Sequence, residues 1–261
     1  MVSPHEKEHG PYATVRNDER GTWVSMTGTE KTDSEIMEKQ VVSRKRVADH
    51  GEVLTAKREV NAMLDLVKQE TERIDSRFLE PACGTGNFVT EILERKLHKA
   101  EERGYGKTQL EYQRNAVLAV SSIYGIDILE DNVVECRKRL FDIFNQKYTT
   151  LFKKKAKDQC RNAVKYVLER NIIQGDALTL KTVGENPQPI VFSEWSFPFN
   201  NSMIKRRDYT FSDLIQSDQP SQSGLFTEPE LYSDLGKRAF LPKEQQGFRP
   251  VHFLKIGEGH E

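Results

Sequence analysis

The segment Arg77-Phe78-Leu79-Glu80-Pro81-Ala82-Cys83-Gly84-Thr85-Gly86-Asn87-Phe88 decides how the rest of the chain is read. Arg77 to Glu80 is a short run with apolar residues at its centre, halted by Pro81 as a strand end is. Two glycines one residue apart then permit a tight turn, and Phe88, Val89, Ile92, Leu93 and Leu97 follow at helical spacing. Strand, glycine turn and helix in that order begin a βα unit. The alternation continues: Leu110 to Ser121 reads as a helix, Ser122 to Asp127 as a strand, Asn132 to Phe144 and Ala163 to Leu168 as helices. Asn171 to Asp176 and Pro189 to Phe192 are further strand candidates. Upstream, Val60, Met63, Leu64 and Val67 set an amphipathic helix within Ala56 to Lys68. The expected fold class is α/β, a mostly parallel sheet with helices on both faces.

Composition limits what surrounds this sheet. Of the 261 residues, 36 % are hydrophobic and 30 % charged, which is polar for a packed protein and predicts a compact middle with solvated ends. Residues 1–35 are expected to be a disordered extension, 36–210 the packed domain, and 211–261 an extended or partly disordered tail rich in Ser, Gln, Asp and Pro. The formal charge of −1 marks no strongly basic or acidic partner for the chain as a whole. No apolar run reaches the roughly 20 residues that a membrane-spanning helix needs. The opening MVSPHEKEHG has no apolar stretch behind it, so no secretory signal is expected. Three cysteines without a CxxC pair argue against a disulfide framework and a zinc module. The expectation is a cytoplasmic protein with no membrane partner and no metal.

Acidic residues recur at one kind of place. Glu80, Asp127 and Asp176 each fall at or just after the carboxyl end of an expected strand, where open α/β sheets bind ligands. Three carboxylates there suit a ligand bearing hydroxyl and amino groups, not a polyphosphate. For any one of them, capping the following helix is an equally good reading. A dinucleotide fingerprint is excluded because Val89 occupies the position of its third glycine. The run Gly104-Tyr105-Gly106-Lys107-Thr108 mimics a phosphate loop, but Glu101 stands at its first glycine and a helix precedes it.

Glu80-Pro81-Ala82-Cys83-Gly84-Thr85-Gly86 resembles the first motif of adenine-specific DNA methyltransferases, written [D/E]-P-x-C-G-x-G. The resemblance covers roughly Ala48 to Phe197. It implies a Rossmann-like methyltransferase sheet that binds S-adenosyl-L-methionine. On that basis Pro81, Cys83, Gly84 and Gly86 form the cofactor turn, and Glu80 holds the ligand's ammonium directly or through water. Asp127 takes the ribose hydroxyls, Ile128 lies against the adenine ring, and Asp176 with Ala177 meets the adenine amino group. His50-Gly51-Glu52-Val53-Leu54-Thr55 resembles the family's other cofactor segment, usually closed by Thr-Pro; Thr55 would contact the methionine carboxylate, and Ala56 replaces the proline.

Family members also carry Asn or Asp followed by Pro-Pro and an aromatic residue, which binds the flipped adenine. This chain lacks that tetrad. Asn186-Pro187-Gln188-Pro189 precedes the candidate strand and reads as a turn. Ser193-Glu194-Trp195-Ser196 occupies the corresponding place: Trp195 is a candidate base-stacking residue and Glu194 a candidate acceptor, against the plainer reading of a tryptophan packed on the sheet. Lys205, Arg206 and Arg207, with Tyr209 and Phe211 adjacent, are candidates for DNA contact. The basic stretch from Arg137 to Arg161 reads as a solvated helical face. Cys83 has no histidine nearby in sequence and reads as a small packing residue, not a nucleophile. The expected function is adenine-specific DNA methylation in a restriction–modification system, with DNA and a recognition or restriction subunit as partners. The alternative is a non-catalytic cofactor-binding subunit.

Overall fold

The computed structural model describes Arg46, Ala48 and residues 53–102, 108–199, 201–215 and 244–258. The expected extension over 1–35, the segment 50–52, residues 104–107 of the phosphate-loop mimic and the tail over 216–243 lie outside these residues.

Helix α1 (Lys57–Asp65) and the short α2 (Lys68–Thr71) lead to β1 (Phe78–Glu80). The first crossover is α3 (Asn87–Glu102) and α4 (Gln109–Ser121), ending in β2 (Ile123–Asp127). A second pair, α5 (Glu130–Phe152) and α6 (Asp158–Asn171), returns to β3 (Ile172–Gln174). The three strands form a parallel sheet in the order β1-β2-β3. Phe78 pairs with Ile123, and Gly125 with Ile172. The chain is thus mixed α/β, with the first three strands where the sequence pattern puts them.

Local chemistry accounts for the helices. In α3, Val89, Ile92, Leu93, Lys96, Leu97 and Ala100 are the buried stripe, spaced three and four apart. Thr108 caps α4 by accepting the Glu111 N–H at 3.2 Å. The α1 N-terminus uses the Ala56 N–H, which donates to Glu59 Oε2 at 3.3 Å. A proline at this position would have no such hydrogen, so Ala56 makes a cap that proline could not.

The two faces of the sheet are covered by different layers. On one, Ile123 and Ile172 pack with the buried stripes of the long helices, and Phe144 stacks on Tyr148 at 5.3 Å within this layer. On the other, Tyr124 and Ile126 pack against Ile190, Phe192 and Phe211. These lie not in another βα unit but in β4 (Val191–Ser196), which Ile190 directly precedes, and the short α7 (Phe211–Ile215). The candidate strand at Pro189 to Phe192 therefore belongs to a separate antiparallel sheet. In it β4 pairs with β5 (Met203–Thr210), and β5 with β6 (Gln246–Gly247). Strand β7 (Val251–His252) also pairs with β5, and Phe253 behind it is fully buried. The packed body thus extends past residue 210: residues 244–258, expected within a loose tail, supply strand pairing and core.

No helix among the described residues is long and apolar enough to cross a membrane.

Candidate ligand cleft at the sheet rim

The turn after β1 is built by close packing. Gly84 and Gly86 have φ of +51° and +94°, the left-handed region where a side chain is strained. A Cβ on Gly86 would also meet Cys136 Sγ at 2.8 Å. Cys83 lies over Gly125 of β2, where a Cβ would come within 3.0 Å of its sulfur, and its N–H donates to Ile126 O at 2.8 Å. The hydrogen bond to Cys136 and burial push the Cys83 thiol far above the ordinary range. Cys83 is therefore a packing residue that seats the turn on β2, not a nucleophile.

Asp127, at the end of β2, is where the expected cofactor segments meet. Its Oδ2 accepts the Gly84 N–H at 2.9 Å. Its Oδ1 accepts the Leu129 N–H at 2.9 Å and Asn132 Nδ2 at 3.2 Å. Its carbonyl accepts the Gly175 N–H at 2.9 Å, which sets Asp176 beside it. From the other side, Leu54 lies 3.7 Å from the position of a Gly84 Cβ, and the Thr55 carbonyl accepts Asn87 Nδ2 at 2.9 Å. Ile128 is exposed beside Asp127, Pro81 is exposed on the turn, and Ala177 packs under the second face.

The three acids are stepped, not level. Glu80 is in register with Gly125, and Asp127 with Gln174, two residues before Asp176. Each acid thus lies two residues beyond the register of the one before it, so neighbouring acids are about 8 Å apart along the rim. Each also serves its own turn. Glu80 Oε1 accepts the Ala82 N–H at 3.2 Å. Asp176 accepts from Leu178 N–H at 2.9 Å and Thr179 Oγ1 at 3.0 Å, and these bonds hold its carboxyl below the usual range. These are bonds within the turn after each strand, not caps of a helix N-terminus, so the helix-capping alternative gives way to turn bonding at the rim.

The residues expected to act on the acceptor are elsewhere. Trp195 is 5 % exposed, its Nε1 donates to Asn171 Oδ1 at 3.1 Å, and its ring meets Tyr166 edge-on at 6.1 Å. It is a core residue and has no face open to a base, which overturns the stacking role. Glu194 is bonded to Arg77 and, at 2.8 Å, to Arg207. Arg206 donates to both carboxylate oxygens of Asp208, at 2.8 and 2.7 Å, and to Tyr166 Oη at 3.0 Å. Lys205 is half-buried opposite Ser196, and Tyr209 and Phe211 are buried. Lys205, Arg206 and Arg207 thus alternate between two sheet faces and do not form one basic patch. In the earlier basic stretch, Arg137 donates to the Ile172 carbonyl, Lys147 pairs with Glu101, and Arg161 pairs with Asp158.

Sequence reasoning missed two features. A hollow of about 540 Å³ opens over the outer face of β1, bounded by Leu79, Tyr124, Phe192, Glu194 and Arg207. Arg139 on α5 donates to Thr85 O at 2.7 Å, to Thr85 Oγ1 at 3.2 Å and to Asn87 Oδ1 at 2.8 Å. Asn87 directly follows the glycine turn in the sequence. Nothing local in the sequence links it to Arg139.

No family model, curated protein or solved structure matches this chain.

Proposed function

We propose that the chain binds S-adenosyl-L-methionine at the rim of the parallel sheet, as the cofactor-binding part of an adenine-specific DNA methyltransferase of the restriction–modification type. The observation that carries this reading is the convergence on Asp127 of the glycine turn, through Gly84, and of the strand end bearing Asp176, with the Leu54-Thr55 segment against the turn. A carboxylate has about four lone-pair sites, and three of those on Asp127 already accept protein hydrogens. Oδ2 keeps one for a ribose hydroxyl. Ile128, 46 % exposed, offers an apolar contact to the adenine. Glu80 accepts one protein hydrogen and has capacity for an ammonium group.

Methyl transfer would be a direct displacement: the nucleophilic adenine nitrogen forms a bond to the methyl carbon as the carbon–sulfur bond breaks, leaving S-adenosylhomocysteine. The base then loses a proton to water or a nearby acceptor. Positioning supplies most of the rate enhancement in such a transfer. The burial of Trp195 and the ion pairs of Glu194 favour a second reading, in which the acceptor-binding tetrad comes from another polypeptide and this chain alone holds only the methyl donor.

Calorimetric titration with S-adenosyl-L-methionine tests the first part. Asp127→Ala should weaken binding by about 1–3 kcal/mol, the range for a hydrogen bond to a charged group plus the loosening of its turn. An unchanged affinity in that variant rules out the cleft. Incubation with unmethylated DNA and methyl-labelled cofactor separates the two readings: label in adenine marks an enzyme, and binding without transfer marks the donor-holding subunit.

A further inference from the structure

We propose that Arg139 is a positioning and specificity-determining residue of this cleft, fixing the glycine turn and favouring ligands that carry a carboxylate; this rests on the S-adenosyl-L-methionine reading above. Thr85 sits between Gly84 and Gly86, both left-handed, so its peptide groups are held by little of their own stereochemistry. Arg139 supplies the missing constraint. One guanidinium nitrogen, Nη1, donates to the Thr85 carbonyl, the Thr85 hydroxyl and Asn87 Oδ1. With Oδ1 engaged, the Asn87 amide must present Nδ2 to the Thr55 carbonyl, the bond it makes at 2.9 Å. A single side chain therefore links α5, the turn and the Leu54-Thr55 segment.

The charge is the second part of the argument. Among the described residues, the partners of Arg139 are neutral oxygens, so its positive charge is not balanced by a carboxylate bonded to it. The cleft's own rim is acidic, with Glu80, Asp127 and Asp176. A ligand combining a cationic centre with a carboxylate, as the methionine half of the proposed cofactor does, matches that separation of charge. A cation lacking the carboxylate does not. Arginine is suited to this because its planar fork can bond the turn on one nitrogen and leave further N–H groups for an anion.

The test compares S-adenosyl-L-methionine with its decarboxylated form by calorimetry on the full chain. The wild-type protein should prefer the carboxylate-bearing ligand by about tenfold or more, the scale of a charge-assisted interaction. Arg139→Gln should weaken both ligands through the freed turn and abolish the preference; Arg139→Met gives the same readout should the first variant not fold. Arg139→Lys and Asn87→Ala both keep the charge, so both should keep the preference while losing affinity. A preference that survives in Arg139→Gln overturns the assignment, and so does equal binding of the two ligands by the wild type. If the wild type binds neither ligand, the cofactor reading itself fails and takes this assignment with it.

Discussion

Lys96 shows how one polar residue can be held in an apolar layer. It is fully buried in the α3 stripe, and its ammonium donates to the Ile74 and Ser76 carbonyls and the Ser122 hydroxyl, above the Phe78 ring. All three acceptors are neutral, and burial lowers its pKa from 10.5 to about 7. Between those values the unfolded chain binds one more proton than the folded one, so stability from this residue rises with pH from about 7 to 10.5. Below about 7 both states are protonated and its contribution is flat. Urea unfolding across that window should show stability rising by about 1 kcal/mol per pH unit more in the wild type than in Lys96→Met. Equal slopes in the two proteins would mean that Lys96 titrates normally.

The β4–β5 hairpin is where the sequence pattern and the structure part. The strands β1, β2 and β3 were legible because each is a short apolar run closed by an acid or a glycine turn. Strand β5 was not. Its buried positions include Asp208 alongside Ile204 and Tyr209, and the Arg206–Asp208 pair hides the alternation that normally reveals a half-buried strand. Read without that pair, Lys205-Arg206-Arg207 looks like a surface for DNA. Trp195 misleads in the same way: aligned beside the missing tetrad it looks like a stacking residue, yet it faces Asn171, which itself donates to the Ser121 and Ile123 carbonyls. Trp195→Phe should therefore lower stability by about 1–2 kcal/mol, from the unsatisfied Asn171 oxygen. Ligand affinity measured well below the melting temperature should be unchanged. A selective loss of ligand binding would return Trp195 to the site.

At the scale of the molecule, the C-terminal residues behave as core. Phe253 has no exposed surface and meets Phe197 edge-on at 6.2 Å, so Phe253→Ala should cost about 3–5 kcal/mol in denaturant unfolding. A change below about 1 kcal/mol would mean that this end is only loosely docked. The sequence reading groups this segment with the Ser-, Gln- and Asp-rich stretch before it, although Val251, Leu254 and Ile256 flank Phe253 and pack on the same core. The cleft was more legible than its supports. Its motif is contiguous, whereas Arg139 reaches Thr85 from a helix in the next crossover, a relation that only three dimensions contain. Those crossovers bear on how the chain reaches its native state. Phe78 and Ile123 pair only after two helices have been laid between them, and Gly125 and Ile172 after two more. Short-range helical hairpins close cheaply and quickly, whereas contacts between distant parts of a polypeptide form late. Because the glycine turn leans on the joined strands, the rim around Asp127 is among the last pieces to be assembled, and a half-folded chain cannot yet present the turn, Asp127 and Asp176 together.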